Sequence, residues 1–215
     1  MAGTRPRVLL TAFGPFPGAP VNPTPAIIAR AARLLEAQAD IETQVLETCF
    51  ASVPDALAHA ARRTPEVVMM TGLAAGAQRM RLEHRARNET LPGRADASGA
   101  GHQGGPIDPG APAELSARAD LTALAAALTG AGLECELSRD AGRYVCEFAY
   151  FHALRLFAEA RVVFVHLPIT DTAARTAGSE THAGPVLPEA DAARAVATVV
   201  AALAVERDGP AGLTR

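Results

Sequence analysis

The run Glu66-Val-Val-Met-Met-Thr71 decides the fold class. Its apolar side chains follow one another without alternation, so a strand here buries both of its faces, as a strand does when helices cover the sheet on each side. Two further runs have the same character: Arg7-Val-Leu-Leu-Thr-Ala12, closed by Phe13-Gly14-Pro15-Phe16-Pro17-Gly18, and Arg161-Val-Val-Phe-Val-His166-Leu-Pro168. Between the first two, Asn22 is placed to cap a helix and Pro23 suits its first turn, with Ala26, Ile27, Ala31, Leu34 and Leu35 forming an apolar face. Ile41 to Thr48 reads as another strand, and Ser52 as the cap of a helix through Arg63. Strands alternating with helices give an α/β fold.

Composition narrows the function classes. The 215 residues, 49% apolar with a net charge of −3, suit one compact domain over 1–215 and carry no basic stripe for nucleic acid or an anionic membrane. The longest apolar stretch, Ala195 to Val205, is too short to span a bilayer, and the N-terminus lacks the apolar segment of a signal peptide. Cys49, Cys135 and Cys146 are an odd number at wide spacing, which predicts a reducing cytoplasm rather than a disulfide framework. The histidines at 59, 84, 102, 152 and 182 are scattered and give a metal site little support.

The rest of the chain adds a long loop and the polar candidates. Leu91 to Pro112 is rich in Gly, Pro, Asp and Ala and reads as a lid, interface or disordered loop, followed by a helix from Ala113 to Gly130 and a short strand from Leu133 to Leu137. Helices are also expected over Val145 to Ala160 and Pro188 to Arg207, with polar loop from Ile169 to Pro188. The loop at 13–18 leads into a helix but lacks phosphate-cradle spacing, and its prolines withdraw backbone donors. Phe13 and Phe16 are more telling, since rings at a strand's carboxyl end either fill the core or face the ligand crevice of an open α/β sheet. Gly72 and Gly76 let backbone pass close to a ligand.

Cys146 stands where the turn Ser138-Arg-Asp-Ala-Gly-Arg-Tyr-Val145 becomes an apolar helix. A thiol in a helix's first turn meets unpaired N–H groups and the positive end of the macrodipole, which favour the thiolate; the alternative is a small buried hydrophobe. His166, at a strand's carboxyl end, is a general base or a satisfied core histidine. Glu83 by itself reads as a solvated carboxylate, and Arg79, Arg81, His84, Arg85 and Arg87 around it as a solvated basic face.

Taken together these segments resemble the pyroglutamyl peptidase I family of cysteine peptidases over nearly the whole chain. Thr11-Ala-Phe-Gly-Pro-Phe-Pro-Gly-Ala-Pro-Val-Asn-Pro23 is similar to the family's T-G-F-x-P-F-G-G-x-x-x-N-P. Gly72-Leu-Ala-Ala-Gly76 with Glu83-His-Arg-Ala-Arg-Asn88, the 138–146 segment and Val163-Phe-Val-His-Leu-Pro168 follow in the family's order. The resemblance implies a three-layer α/β/α sandwich around a twisted, mostly parallel mixed sheet. It implies Cys146 as nucleophile, His166 as base and Glu83 as acid, with Phe13, Phe16, Tyr144 and Val145 around the substrate. It also implies peptides with N-terminal pyroglutamate as substrates, no metal or organic cofactor, and a homo-oligomer, a tetramer in the family.

The departures from the pattern lie close to these residues. Glu147 replaces the Asn usual after the nucleophile, and a carboxylate facing the thiol would oppose its ionisation. His84 and Arg85 replace a basic and an apolar residue, Leu73 stands where a polar residue is common, and Arg94 is the nearest counterpart of an arginine that reaches the family's active site. Two alternatives follow: a hydrolase of the same fold for another N-acyl or lactam-like substrate, and a catalytically weak pyroglutamyl-binding homologue.

Overall fold

The computed structural model describes residues 4–176 and 186–205. In chain order the elements are β1 (Arg7–Phe13), α1 (Thr24–Leu35), β2 (Asp40–Leu46), α2 (Val53–Ala61), β3 (Val67–Leu73), β4 (Met80–Glu83), β5 (Arg85–Arg87), β6 (Glu114–Ser116), α3 (Leu121–Gly130), β7 (Cys135–Ser138), α4 (Val145–Leu156), β8 (Arg161–Leu167), α5 (Asp171–Thr176) and α6 (Glu189–Val205). Six strands form one sheet in the order β2-β1-β3-β8-β4-β7. The first four are parallel, β4 runs antiparallel to β8, and β7 is parallel to β4. The fold is therefore α/β with a mixed, mostly parallel sheet.

Alternation along the strands feeds two cores. Val8, Leu10, Met69, Val163 and Val165 pack against Ile27, Ile28 and Ala31 of α1, Leu124 of α3 and Val196 and Val199 of α6. Leu9, Phe13, Val68, Met70, Val162 and Phe164 pack on the other face against Val53 and Leu57 of α2 and Val145, Ala149 and Phe151 of α4. Burying both faces is what the continuous apolar runs require.

Several expected boundaries move, each for a local reason. Asn22 does not occupy the cap position of α1; its side-chain oxygen accepts from the Thr24 N–H and hydroxyl, while its amide donates to Gly14 O. The buried face of α1 is Ile27, Ile28, Ala31 and Leu35, and Leu34 is exposed. Ser52 precedes α2 but makes no side-chain cap. The helix expected from Ala113 begins only at Leu121, because Asp120 accepts from the Thr122 and Ala123 N–H groups, and Glu114–Ser116 instead pairs with β5. Helix α4 ends at Leu156, which is exposed, short of Ala160, while Phe157 and Ala160 beyond it are still buried. The expected loop from Ile169 contains the short helix α5; its residues 177–185, with His182, and the last two residues of the expected final helix lie outside the described residues.

The 91–112 loop has only isolated bridges, yet it is tied down. The Asp96 carboxylate accepts from Phe50 N–H at 2.9 Å, Ala97 N–H donates to Thr48 O, and Leu91 N–H donates to Arg143 O. Among the described residues no helix is long and apolar enough to cross a membrane.

Candidate active site

The turn that precedes α4 is built to present a side chain. Gly142 (φ 96°) and Arg143 (φ 49°) adopt left-handed backbone, and Asp140 holds the turn by accepting from Gly142 N–H and from the Arg87 guanidinium at 2.7 Å. Tyr144 is the N-cap, so Cys146 is the second helical residue, half-buried and within the region where the helix's unpaired N–H groups stabilise an anion.

Glu147, the third helical residue, is fully buried and turns away from the thiol. Its carboxylate accepts from Arg87 N–H at 2.5 Å and Arg143 N–H at 3.2 Å, the second being a capping bond back to the turn. Burial raises its carboxyl above the ordinary value, against the pull of those N–H groups and of the Arg87 charge. Glu147 therefore staples the turn before α4 to β5. Glu147→Leu should strip two partly buried N–H groups of their acceptor and cost about 2 kcal/mol, read as a lower denaturant midpoint with unchanged slope.

His166 and Glu83 come from adjacent antiparallel strands. In the β4–β8 register Arg81 lies opposite His166, which makes Glu83 the diagonal neighbour of His166 on the same sheet face. The His166 Nδ1–H donates to Glu83 Oε1 at 2.8 Å, with Glu83 fully buried and His166 6% exposed. Burial pulls the imidazole pKa down, but hydrogen bonds and charge from Cys146 and Glu83 outweigh it and lift the value to about 9. Glu83 is thus no solvated carboxylate. Its basic neighbours do not form an unpaired face either: Arg79, Arg81, Arg85 and Arg87 pair with Glu134, Glu136, Glu114 and Asp140.

Gly72 accounts for the seat of the imidazole. It is paired with His166 in the β3–β8 ladder, and a Cβ there would lie 2.9 Å from the Phe164 ring and 3.0 Å from the His166 ring. The close approach is to these two rings, tilted by 46° with centroids 4.6 Å apart, rather than to a ligand. Gly72→Ala should displace the imidazole and lower kcat by about 100-fold, with KM changed far less; steady-state kinetics would read the split.

Cys146 and His166 open into a cleft of about 480 Å3, lined also by Phe13, Phe16, Leu73, Arg94 and Tyr144. Phe13 is only 1% exposed and forms its floor, while Phe16 is half-exposed and stands 6.2 Å from the Tyr144 ring. Arg94, from the long loop, lies 4.0 Å over the Tyr144 ring, and the Tyr144 hydroxyl donates to Ala95 O at 2.7 Å. Val145 does not join this group, because its side chain is fully buried in the core under α4. Gly76 lies at the rim with open space around it. Arg81, Thr48 and Asp140 also border the cleft and were not anticipated there. Only Arg81 left a signal, its two-residue spacing from Glu83 along one strand. Among the described residues, no group of three His, Cys, Asp or Glu could hold a metal ion.

Comparison with known proteins bears on this arrangement as a whole. The family model for pyroglutamyl peptidase matches residues 6–207. The pyrrolidone-carboxylate peptidase of Gloeobacter violaceus is 33% identical over 166 residues, covering 75% of this chain and 81% of that protein. That of Deinococcus radiodurans is 30% identical over 215 residues, covering 94% and 95%. The crystal structure of pyrrolidone carboxyl peptidase from Thermus thermophilus superposes with a TM-score of 0.79 at 31% identity, covering 90% of this chain and 98% of that one. A mutant of the Pyrococcus furiosus enzyme shares the fold with a TM-score of 0.86 at 23% identity, covering 93% and 99%. With the match running across both cores and through every segment of the cleft, the chain belongs to the pyroglutamyl peptidase family.

Proposed function

We infer that the protein is a cysteine exopeptidase that hydrolyses the amide bond after an N-terminal pyroglutamyl residue through a thioester acyl-enzyme. The observation that carries this reading is the hydrogen bond from His166 to the buried Glu83 carboxylate, with His166 and Cys146 together at the mouth of an aromatic cleft. His166 takes the thiol proton, and the ion pair so formed is held by the Glu83 carboxylate. The thiolate attacks the pyroglutamyl carbonyl, with the Cys146 backbone N–H as an oxyanion donor. Collapse of the tetrahedral adduct breaks the C–N bond, and His166 delivers its proton to the departing amine. Water, deprotonated by His166, then cleaves the thioester, releases pyroglutamate and restores the thiol.

Substrate choice follows from charge. An aminopeptidase needs a carboxylate for the free α-amine, whereas the Asp140 carboxylate at this cleft is spent on Arg87 and the turn. Pyroglutamate has no such amine, and its flat lactam suits the Phe16 and Tyr144 rings above the Phe13 floor. We further read residues 1–215 as one domain acting in the reducing cytoplasm as a homo-oligomer. The test is release of a fluorescent amine from pyroglutamyl, prolyl and glutamyl amides. Turnover of the pyroglutamyl compound at least about 1000-fold above the others is expected, since each control brings a charged amine into an aromatic cleft whose Asp140 carboxylate is already paired. Equal turnover, or preference for another blocking group, would overturn the reading.

A further inference from the structure

Beside His166 the cleft is bordered by a cation with hydrogen-bonding capacity to spare. Arg81 lies directly opposite His166 in the β4–β8 ladder, so the two side chains leave the sheet on the same face, and both border the cleft. On its other side Arg81 is in register with Glu136 of β7, and its Nε–H donates to Glu136 Oε1 at 2.8 Å. That bond uses one of five guanidinium N–H groups. Among the described residues Arg81 has no second acceptor. The pair is 37% and 45% exposed, so its mutual attraction is weak and a further anion can share the guanidinium. Of the other charged groups at the cleft, Asp140 is paired with Arg87, and Arg94 lies over the Tyr144 ring on the long loop, whereas Arg81 is the cation opposite His166.

The position of Arg81 decides what it meets. In the acyl transfer described above His166 hands a proton to the leaving nitrogen, so the residue after pyroglutamate lies against the imidazole and within reach of its cross-strand neighbour. A planar fork of N–H donors matches a carboxylate, which an ammonium does not do. We propose that Arg81 recognises a carboxylate carried by the residue after pyroglutamate, so that acidic second residues or free dipeptides are cleaved in preference to their neutral isosteres. The proposal rests on the pyroglutamyl-peptidase reading.

Two matched pairs test it: pyroglutamyl-aspartyl amide against pyroglutamyl-asparaginyl amide, and pyroglutamyl-alanine against its amide. In wild type the acid of at least one pair should have a kcat/KM about fivefold higher, the upper range for a solvent-exposed pair. The first pair reports a side-chain carboxylate and the second a terminal one. The ratio should approach unity in Arg81→Gln and rise in Glu136→Gln, where the guanidinium is freed. A ratio near unity in both pairs for wild type, or one unchanged by Arg81→Gln, would overturn the proposal. Calorimetric titration of the four peptides into Cys146→Ala protein reads the same ratios as affinities. Binding without discrimination sinks the role of Arg81 alone, and no binding of any pyroglutamyl peptide sinks the parent reading with it.

Discussion

Cys146→Ala protein is expected to fold normally and to lose turnover of a pyroglutamyl amide by a factor of about 10^5, the scale seen when a nucleophile that works as a unit with its base is removed. Stability should change little, because Cys146 is half-buried and packs against the edge of the α4 core without being one of its buried members. A second readout separates loss of chemistry from a general disturbance. The His166 pKa of about 9 owes part of its elevation to the hydrogen bond and charge of Cys146, so it should fall in the alanine variant. Histidine NMR titration would show this. A variant that kept measurable covalent turnover, or whose imidazole titrated as before, would remove Cys146 from the nucleophile's position.

Glu83→Gln should have the second largest effect. The amide oxygen can still accept from His166 Nδ1–H, so the ring keeps its orientation, but the negative charge is gone. We expect kcat/KM to fall by about 1000-fold, in line with amide replacement of the acid in other triads. The direction of the pH change follows from the sign of the shift. The His166 pKa is raised from 6.5 to about 9, so in wild type the imidazolium persists until pH approaches 9 and activity declines above it. Without the carboxylate the charged ring is less favoured and the decline should begin at lower pH. Stability follows the same linkage: the contribution of this group is complete below 6.5 and is lost as pH rises through about 9. The stability gap between wild type and Glu83→Gln should therefore be widest in acid and narrow toward pH 9. A gap that widened with rising pH would contradict the assignment.

The parts of the fold legible in the sequence were those whose own side chains carry the cause. Val67 to Met70 and Val162 to Val165 are apolar on both faces because both faces are covered, and that fact is local. β4 was not legible, because Arg81 and Glu83 give it a polar face whose partners, Glu136 and His166, lie far along the chain. For the same reason Glu83 alone read as a solvated residue: its burial comes from being placed beside β8 and beneath Tyr150, whose hydroxyl donates to Glu83 O. Glu147 was noticed for its charge, but which way it points depends on Arg87 and Arg143 N–H groups on another strand and turn. The seat of Arg94 on Tyr144 depends on the path of a loop that has no periodicity to read.

The position of β8 bears on how the protein is made. It is last of the strands in sequence and lies between β3 and β4 in the sheet, where it also carries the imidazole. A nascent chain that has not yet delivered residues 161–167 has two unpaired strand edges at the middle of its future sheet and a thiol with no base beside it. Until residues 161–167 join the sheet, Cys146 lacks its imidazole neighbour and the edges of β3 and β4 are open to pairing with the wrong strand.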